Sequence, residues 1–216
     1  MKTGSGRERR EVSPHDSLVY ELGKALLKID AFKVGTFSLP DGKVTPYFID
    51  LRKLPSFPEA FELASSCLES SLVKLEKEKE MRFETLCGVP ISGLVLLASL
   101  ATRLKRPLIY PARDSQQPRI QGYLRPGSQV LVVDDVSNTG KSLRAAAQAA
   151  ISNGGVVKMA MSLIDRGEEA GKNLQEIGIE LRYFTTTREI ASILKEMMAL
   201  TEEQEKAIEQ GESKPI

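Results

Sequence analysis

The sequence predicts an α/β fold, the type with a central parallel sheet flanked by helices. Three observations predict it. From residue 83 onward, apolar runs and helical stretches alternate in the order strand, turn, helix. The runs, above all Val130-Leu131-Val132-Val133, are apolar without alternation, as in strands covered on both faces. The chain of 216 residues also suits one domain with a full core and a small appendage.

Each element follows in order. Residues 1–12 (MKTGSGRERREV) read as a flexible arm, and without a following apolar stretch they do not read as a secretory signal. Ser13-Pro14-His15-Asp16 reads as a helix start, with Ser13 as N-cap, Pro14 at the first helical position and Asp16 in the first turn. Leu18, Leu22, Ala25, Leu26 and Ile29 give that helix its apolar stripe. Residues 32–54 alternate weakly around Pro40-Asp41-Gly42 and predict a β-hairpin. A long amphipathic helix is expected from Pro58 to about Glu80, its KLEKEKE end (74–80) solvated.

Strands are then expected at Phe83–Val89, Pro107–Tyr110, Val130–Val133, Val156–Ile164 and Ile179–Phe184. Helices are expected at Leu94–Leu104, Gly140–Ser152, Glu168–Glu176 and Thr187–Met198, with a turn at Pro90–Gly93 and a polar loop at Pro111–Gly122. Glu202–Gln210 reads as a polar terminal helix. The chain thus divides into an arm (1–12), a hood of helix and hairpin (13–57), an α/β core (58–200) and a C-terminal helix and tail (201–216).

Composition excludes several functions. Lys plus Arg total 30 against 29 Asp plus Glu, so no global field attracts nucleic acid. No apolar stretch approaches the ~20 residues needed to span a bilayer. Cys67 and Cys87 are too few for a disulfide framework and form no metal motif, so both read as buried thiols of a cytoplasmic chain. The single histidine, His15, sits at a helix start, where capping or solvent exposure explains it.

The chemistry concentrates in VLVVDDVSNTGKS, residues 130–142. In an open α/β sheet, ligands bind beyond the carboxyl ends of the strands, where Asp134 and Asp135 leave the apolar run. Two carboxylates there need hydroxyls, a cation or basic side chains as partners. Val136, Ser137, Asn138, Thr139, Gly140, Lys141 and Ser142 then lead through a loop of small residues into a helix N-terminus, which favours an anion. Diol acceptors beside a phosphate cradle suit a phosphorylated sugar. A ligand-free turn with an ordinary N-cap is the plainer alternative. A nucleotide P-loop needs glycine at position 135, which is aspartate.

This stretch closely resembles the phosphoribosyl diphosphate (PRPP) signature of type I phosphoribosyltransferases. FKVGTFSLPDGKVTPYFIDLR (32–52), CGVPISGLVLLASLA (87–101) and SLIDRGEEAG (162–171) are similar to the hairpin, diphosphate turn and Asp-Arg segment of orotate phosphoribosyltransferases, in the right order. The resemblance implies a type I phosphoribosyltransferase fold and transfer of the phosphoribosyl group from PRPP to orotate. It implies ribose binding and catalysis by Asp134 and Asp135, with Arg113 as a catalytic cation, and a 5′-phosphate held along Asp134–Ser142. It places the diphosphate at Val89, Pro90, Ile91, Ser92, Gly93, Arg113 and Arg119, and orotate at Phe48, Ile49, Asn138 and Arg166. It also implies Mg²⁺, held mainly by substrate and water, and a homodimer.

Each match has a plainer reading beside it. Gly88–Gly93 also fits a simple tight turn. Arg166 fits an ion pair with Asp165, Glu168 or Glu169, and Phe48 and Ile49 fit a core. The sequence departs from the family where a lysine- and histidine-bearing loop is usual: PARDSQQPRIQG (111–122) has neither residue. Pro40 stands where many members carry lysine, and Ser92 where some do. Three outcomes therefore stay open: an orotate enzyme using Arg113, Arg119 and Lys141 as substitutes, a transferase for a purine base, or a weakly catalytic regulatory homologue.

Overall fold

The computed structural model describes residues 13–38, 44–112, 118–167 and 169–196. The arm 1–12, the turn Pro40-Asp41-Gly42 and the segment 201–216 expected to hold a terminal helix lie outside the described residues.

Helix α1 (Pro14–Lys28) begins as its sequence dictates. Ser13 Oγ accepts from the Asp16 amide, and Asp16 answers with a carboxylate to the Ser13 amide, a reciprocal box behind Pro14. Strands β1 (Phe32–Ser38) and β2 (Val44–Ile49) pair antiparallel as the hairpin. A 3₁₀ helix at Leu51–Ser56 follows, which no apolar periodicity announces, with the Asp50 side chain capping it through the Arg52 amide at 3.2 Å. Helix α2 (Pro58–Glu78) then turns a stripe from Ala60 to Leu75 inward.

The core alternates as predicted: β3 (Thr85–Gly88), α3 (Ser92–Leu104), β4 (Leu108–Pro111), β5 (Ile120–Gln121), β6 (Gln129–Ser137), α4 (Lys141–Ser152), β7 (Val156–Asp165), α5 (Ala170–Gln175), β8 (Glu180–Thr186) and α6 (Thr187–Glu196). The sheet runs β5-β4-β3-β6-β7-β8, parallel except for β5, which pairs antiparallel with β4. The expected polar loop after β4 is thus partly strand, because Ile120 and Gln121 return along the sheet edge.

Two apolar clusters sandwich the sheet. Leu131 and Val133 face a cluster with Leu96, Leu97, Leu68 and Leu22, and so meet α1, α2 and α3. Val130 and Val132 face Leu143, Ala146 and Ala150 of α4. This period-2 division explains why β6 shows no polar alternation. The helix expected in the hood therefore shares its cluster with the sheet. At the amino edge, Glu76 of α2 accepts from both Arg106 terminal nitrogens (2.6 and 2.8 Å) and from the Phe83 amide (2.7 Å), tying α2 to the entrances of β3 and β4.

The chain leaves β3 for β4 on one side and enters β6, β7 and β8 on the other. Adjacent β3 and β6 therefore flank a switch point at which their helices, α3 and α4, depart to opposite faces. A crevice opens beyond the carboxyl ends of such a pair.

Candidate active site

The paired acids lie at that crevice. β6 runs on to Ser137, so Asp134 and Asp135 stand inside its last turn of ladder rather than after it, as expected from the apolar run alone. Both are nearly buried, at 7% and 9% exposure. Asp134 Oδ1 accepts from the Asp135 amide at 2.9 Å. Burial, and then the neighbouring Asp135 charge, raise the Asp134 carboxyl well above the ordinary carboxylate range.

The anion cradle is built beside Asp134. Gly140 takes φ +76°, a left-handed turn that glycine adopts without strain, and it lies against the Ala170 backbone, 3.2 Å from where a Cβ would sit. No side chain caps α4, so the amides of its first turn stay available to an anion. The loop is braced from behind: Asn138 O accepts from the Ala170 amide at 3.0 Å and Thr139 O from Asn173 Nδ2 at 2.9 Å. Asp134 and residues 136–143 line a cleft of about 90 Å³. Larger hollows of about 480 and 300 Å³ lie along α1, but neither is lined by the acids.

Ser137, expected among the phosphate contacts, lines the cleft with its hydroxyl turned inward. Its hydroxyl is buried, bonding Ser162 Oγ at 2.8 Å and the Asp165 carboxylate, whose other oxygen accepts from the Gly167 amide at 3.1 Å. Ser137 thus joins the ends of β6 and β7 beneath the site. Asn138 and Thr139 are half-buried, and Lys141 and Ser142 are exposed at the rim.

The turn Val89–Gly93 packs directly on the acids. The Val89 amide donates to Val133 O at 2.9 Å, and a Cβ on Gly93 would fall 2.6 Å from Asp134 Oδ1 and 2.8 Å from its Cα. Only glycine permits that approach. Pro90 and Ser92 are half-buried, Ile91 is exposed, and the Pro90–Ile91 peptide is cis.

The hairpin reaches the site from above. Tyr47 is buried against Phe32, while Arg166 at the end of β7 donates Nε to the Tyr47 hydroxyl at 3.3 Å and sets its guanidinium 5.2 Å from the Tyr47 ring centre. Strand alternation turns Phe48 outward, 36% exposed and beside Phe37, whereas Ile49 packs against the core cluster.

Among the expected cations, Arg113 lies outside the described residues. Arg119 is exposed just before β5, its carbonyl accepting from Ala112 at 2.8 Å. Sequence reasoning passed over Tyr47, Asp165 and Arg52. Arg52 forks onto Asp50, with Nε to Oδ1 at 2.6 Å and Nη2 to Oδ2 at 3.0 Å. The Asp-x-Arg spacing at 50–52 was its one signal.

No family model matches the chain. It is similar to the curated orotate phosphoribosyltransferase of Staphylothermus marinus, 35% identical across 77% of this chain and 80% of that one. Among solved structures, the orotate phosphoribosyltransferase of Aeropyrum pernix aligns with a TM-score of 0.67 at 32% identity, covering 82% of this chain and 99% of that one. The UMP synthase of Leishmania donovani aligns with a TM-score of 0.77 at 27% identity, over 88% of this chain and 41% of that longer one.

Proposed function

The chain belongs to the orotate phosphoribosyltransferase family, and from that premise we propose how its site transfers the phosphoribosyl group of PRPP to orotate, yielding orotidine 5′-monophosphate and diphosphate for UMP synthesis. One observation carries the reading: two buried acids at the β3/β6 switch point stand between an uncapped helix N-terminus and a glycine turn packed on Asp134.

The ring nitrogen of orotate attacks C1 of the ribose as the C1–O electron pair departs with diphosphate. No protein nucleophile is needed, so catalysis is positioning plus electrostatics. Asp134 and Asp135 accept from the ribose hydroxyls, and their charge stabilises the oxocarbenium-like carbon. The amides of Thr139–Ser142 hold the 5′-phosphate. The turn Val89–Gly93 offers its backbone to the diphosphate, with Arg119, Lys141 and Arg113 as cations. Phe48 offers a face to the pyrimidine, Asn138 a hydrogen bond to its edge and Arg166 a pair for its carboxylate.

The hard carboxylate oxygens suit Mg²⁺, which keeps most of its waters and would neutralise diphosphate oxygens when bound. We take residues 13–57 as a hood over an α/β core and the chain as a cytoplasmic homodimer. No described helix is long and apolar enough to cross a membrane.

The test mixes protein, Mg²⁺ and PRPP with orotate, uracil, adenine, guanine, hypoxanthine or xanthine and follows diphosphate release. Orotate-dependent release is expected. Turnover with a purine alone, or saturable PRPP binding without release, would overturn the assignment.

A further inference from the structure

We propose that Arg52, poised by Asp50, is a further cation that receives the departing diphosphate in this chain, beside Arg113, Arg119 and Lys141. The inference rests on the family reading above and supplies what the segment after β4 lacks. That segment, 111–122, carries two arginines and neither lysine nor histidine. A leaving group of high negative charge needs a donor elsewhere.

The fold supplies one from the opposite direction. The 3₁₀ helix that carries Arg52 packs against α3, whose first turn holds Ser92 and Gly93. Leu51 and Leu54 of the 3₁₀ helix share a cluster with Leu96 and Leu97 of α3, and Gly93 lies over the Asp134 backbone and beside the Asp135 amide. The diphosphate turn therefore opens on the side of the sheet that the 3₁₀ helix covers, and Arg52 stands on that side. The hydrogen bond to Asp50 first, then the Asp50 charge and lastly that of Asp135, hold its guanidinium protonated more firmly than usual.

Its geometry suits the task. Asp50 is itself anchored, its amide donating to Ala31 O at 2.8 Å and its carboxylate accepting from the Arg52 amide. The bidentate contact engages two guanidinium donors and fixes the plane. The side chain is nevertheless 74% exposed, so its remaining donors stay open to solvent and to an incoming anion. A pre-oriented fork loses little freedom on meeting diphosphate oxygens. Asp135 then faces the developing cation at C1, and Arg52 the anion that leaves it.

Titration of the full chain with inorganic diphosphate in the presence of Mg²⁺, and separately with orotidine 5′-monophosphate, tests this. The nucleotide fills the phosphate and base positions but carries no diphosphate. Arg52→Gln should weaken diphosphate binding about tenfold or more, lower kcat/KM for PRPP, and leave nucleotide binding and Tm unchanged. Arg52→Lys should recover only part of the loss, because a point charge lacks the fork. Arg125→Gln removes the same charge at the amino edge, where Arg125 pairs with Glu84, and should change neither titration. Equal diphosphate affinity in wild type and Arg52→Gln would overturn the proposal, as would a parallel loss of nucleotide binding. Because diphosphate binding is read without turnover, a wild type that binds it yet ignores orotate would sink the orotate assignment and not Arg52.

Discussion

At the scale of single residues, Asp134 sets function against stability. Its folded-state carboxyl binds its proton more tightly than in the unfolded chain, because burial and the Asp135 charge penalise ionisation. As pH rises from the unfolded value near 3.8 through the raised folded one, the folded state holds the extra proton, so stability falls across that window. Asp134→Asn removes the titration. Its Tm at neutral pH should exceed that of wild type, and the decline with pH should flatten, as thermal melts across pH would show. Turnover should fall about 100-fold, since a charged acceptor is lost where positive charge develops. A variant that lost activity with an unchanged pH–stability profile would contradict this account. The acid pair was legible in the sequence because carboxylates at the end of an apolar run have few innocent explanations. The role of Ser137 was not: a hydroxyl in a small-residue loop looks the same whether it meets a ligand or, as here, Ser162 and Asp165 from another strand.

At the scale of elements, the core strands and helices were readable because unbroken apolar runs and 3.6-residue stripes each match one kind of burial. The 3₁₀ helix after β2 and the short β5 were hidden, since one depends on the Asp50 cap and the other on a neighbouring strand edge. Long-range anchors were equally invisible. Glu76 and Arg106 are thirty positions apart and look like surface charges, yet their side chains are only 15% and 9% exposed. Glu76→Ala would strand the guanidinium and the Phe83 amide at the amino edge, costing about 3 kcal/mol. Chemical denaturation should show that loss. Activity of the folded fraction should persist, because the acids lie at the other edge of the sheet.

At the scale of the whole molecule, the cysteines report on both layers at once. Cys67 belongs to the cluster on the α3 face and Cys87 to that on the α4 face, and burial pushes both thiols up to about 12. Neither should react with a disulfide reagent at mildly alkaline pH until the chain unfolds, and both should then react together. Two separated phases of modification would mean that the faces open independently. The uncapped start of α4 has a consequence of another kind. A hold composed of main-chain hydrogens survives any exchange of side chains short of one that bends the backbone. If Phe48, Asn138 and Arg166 meet the base as proposed, selection for a new acceptor would be free to rewrite them while the donor sugar kept its mooring.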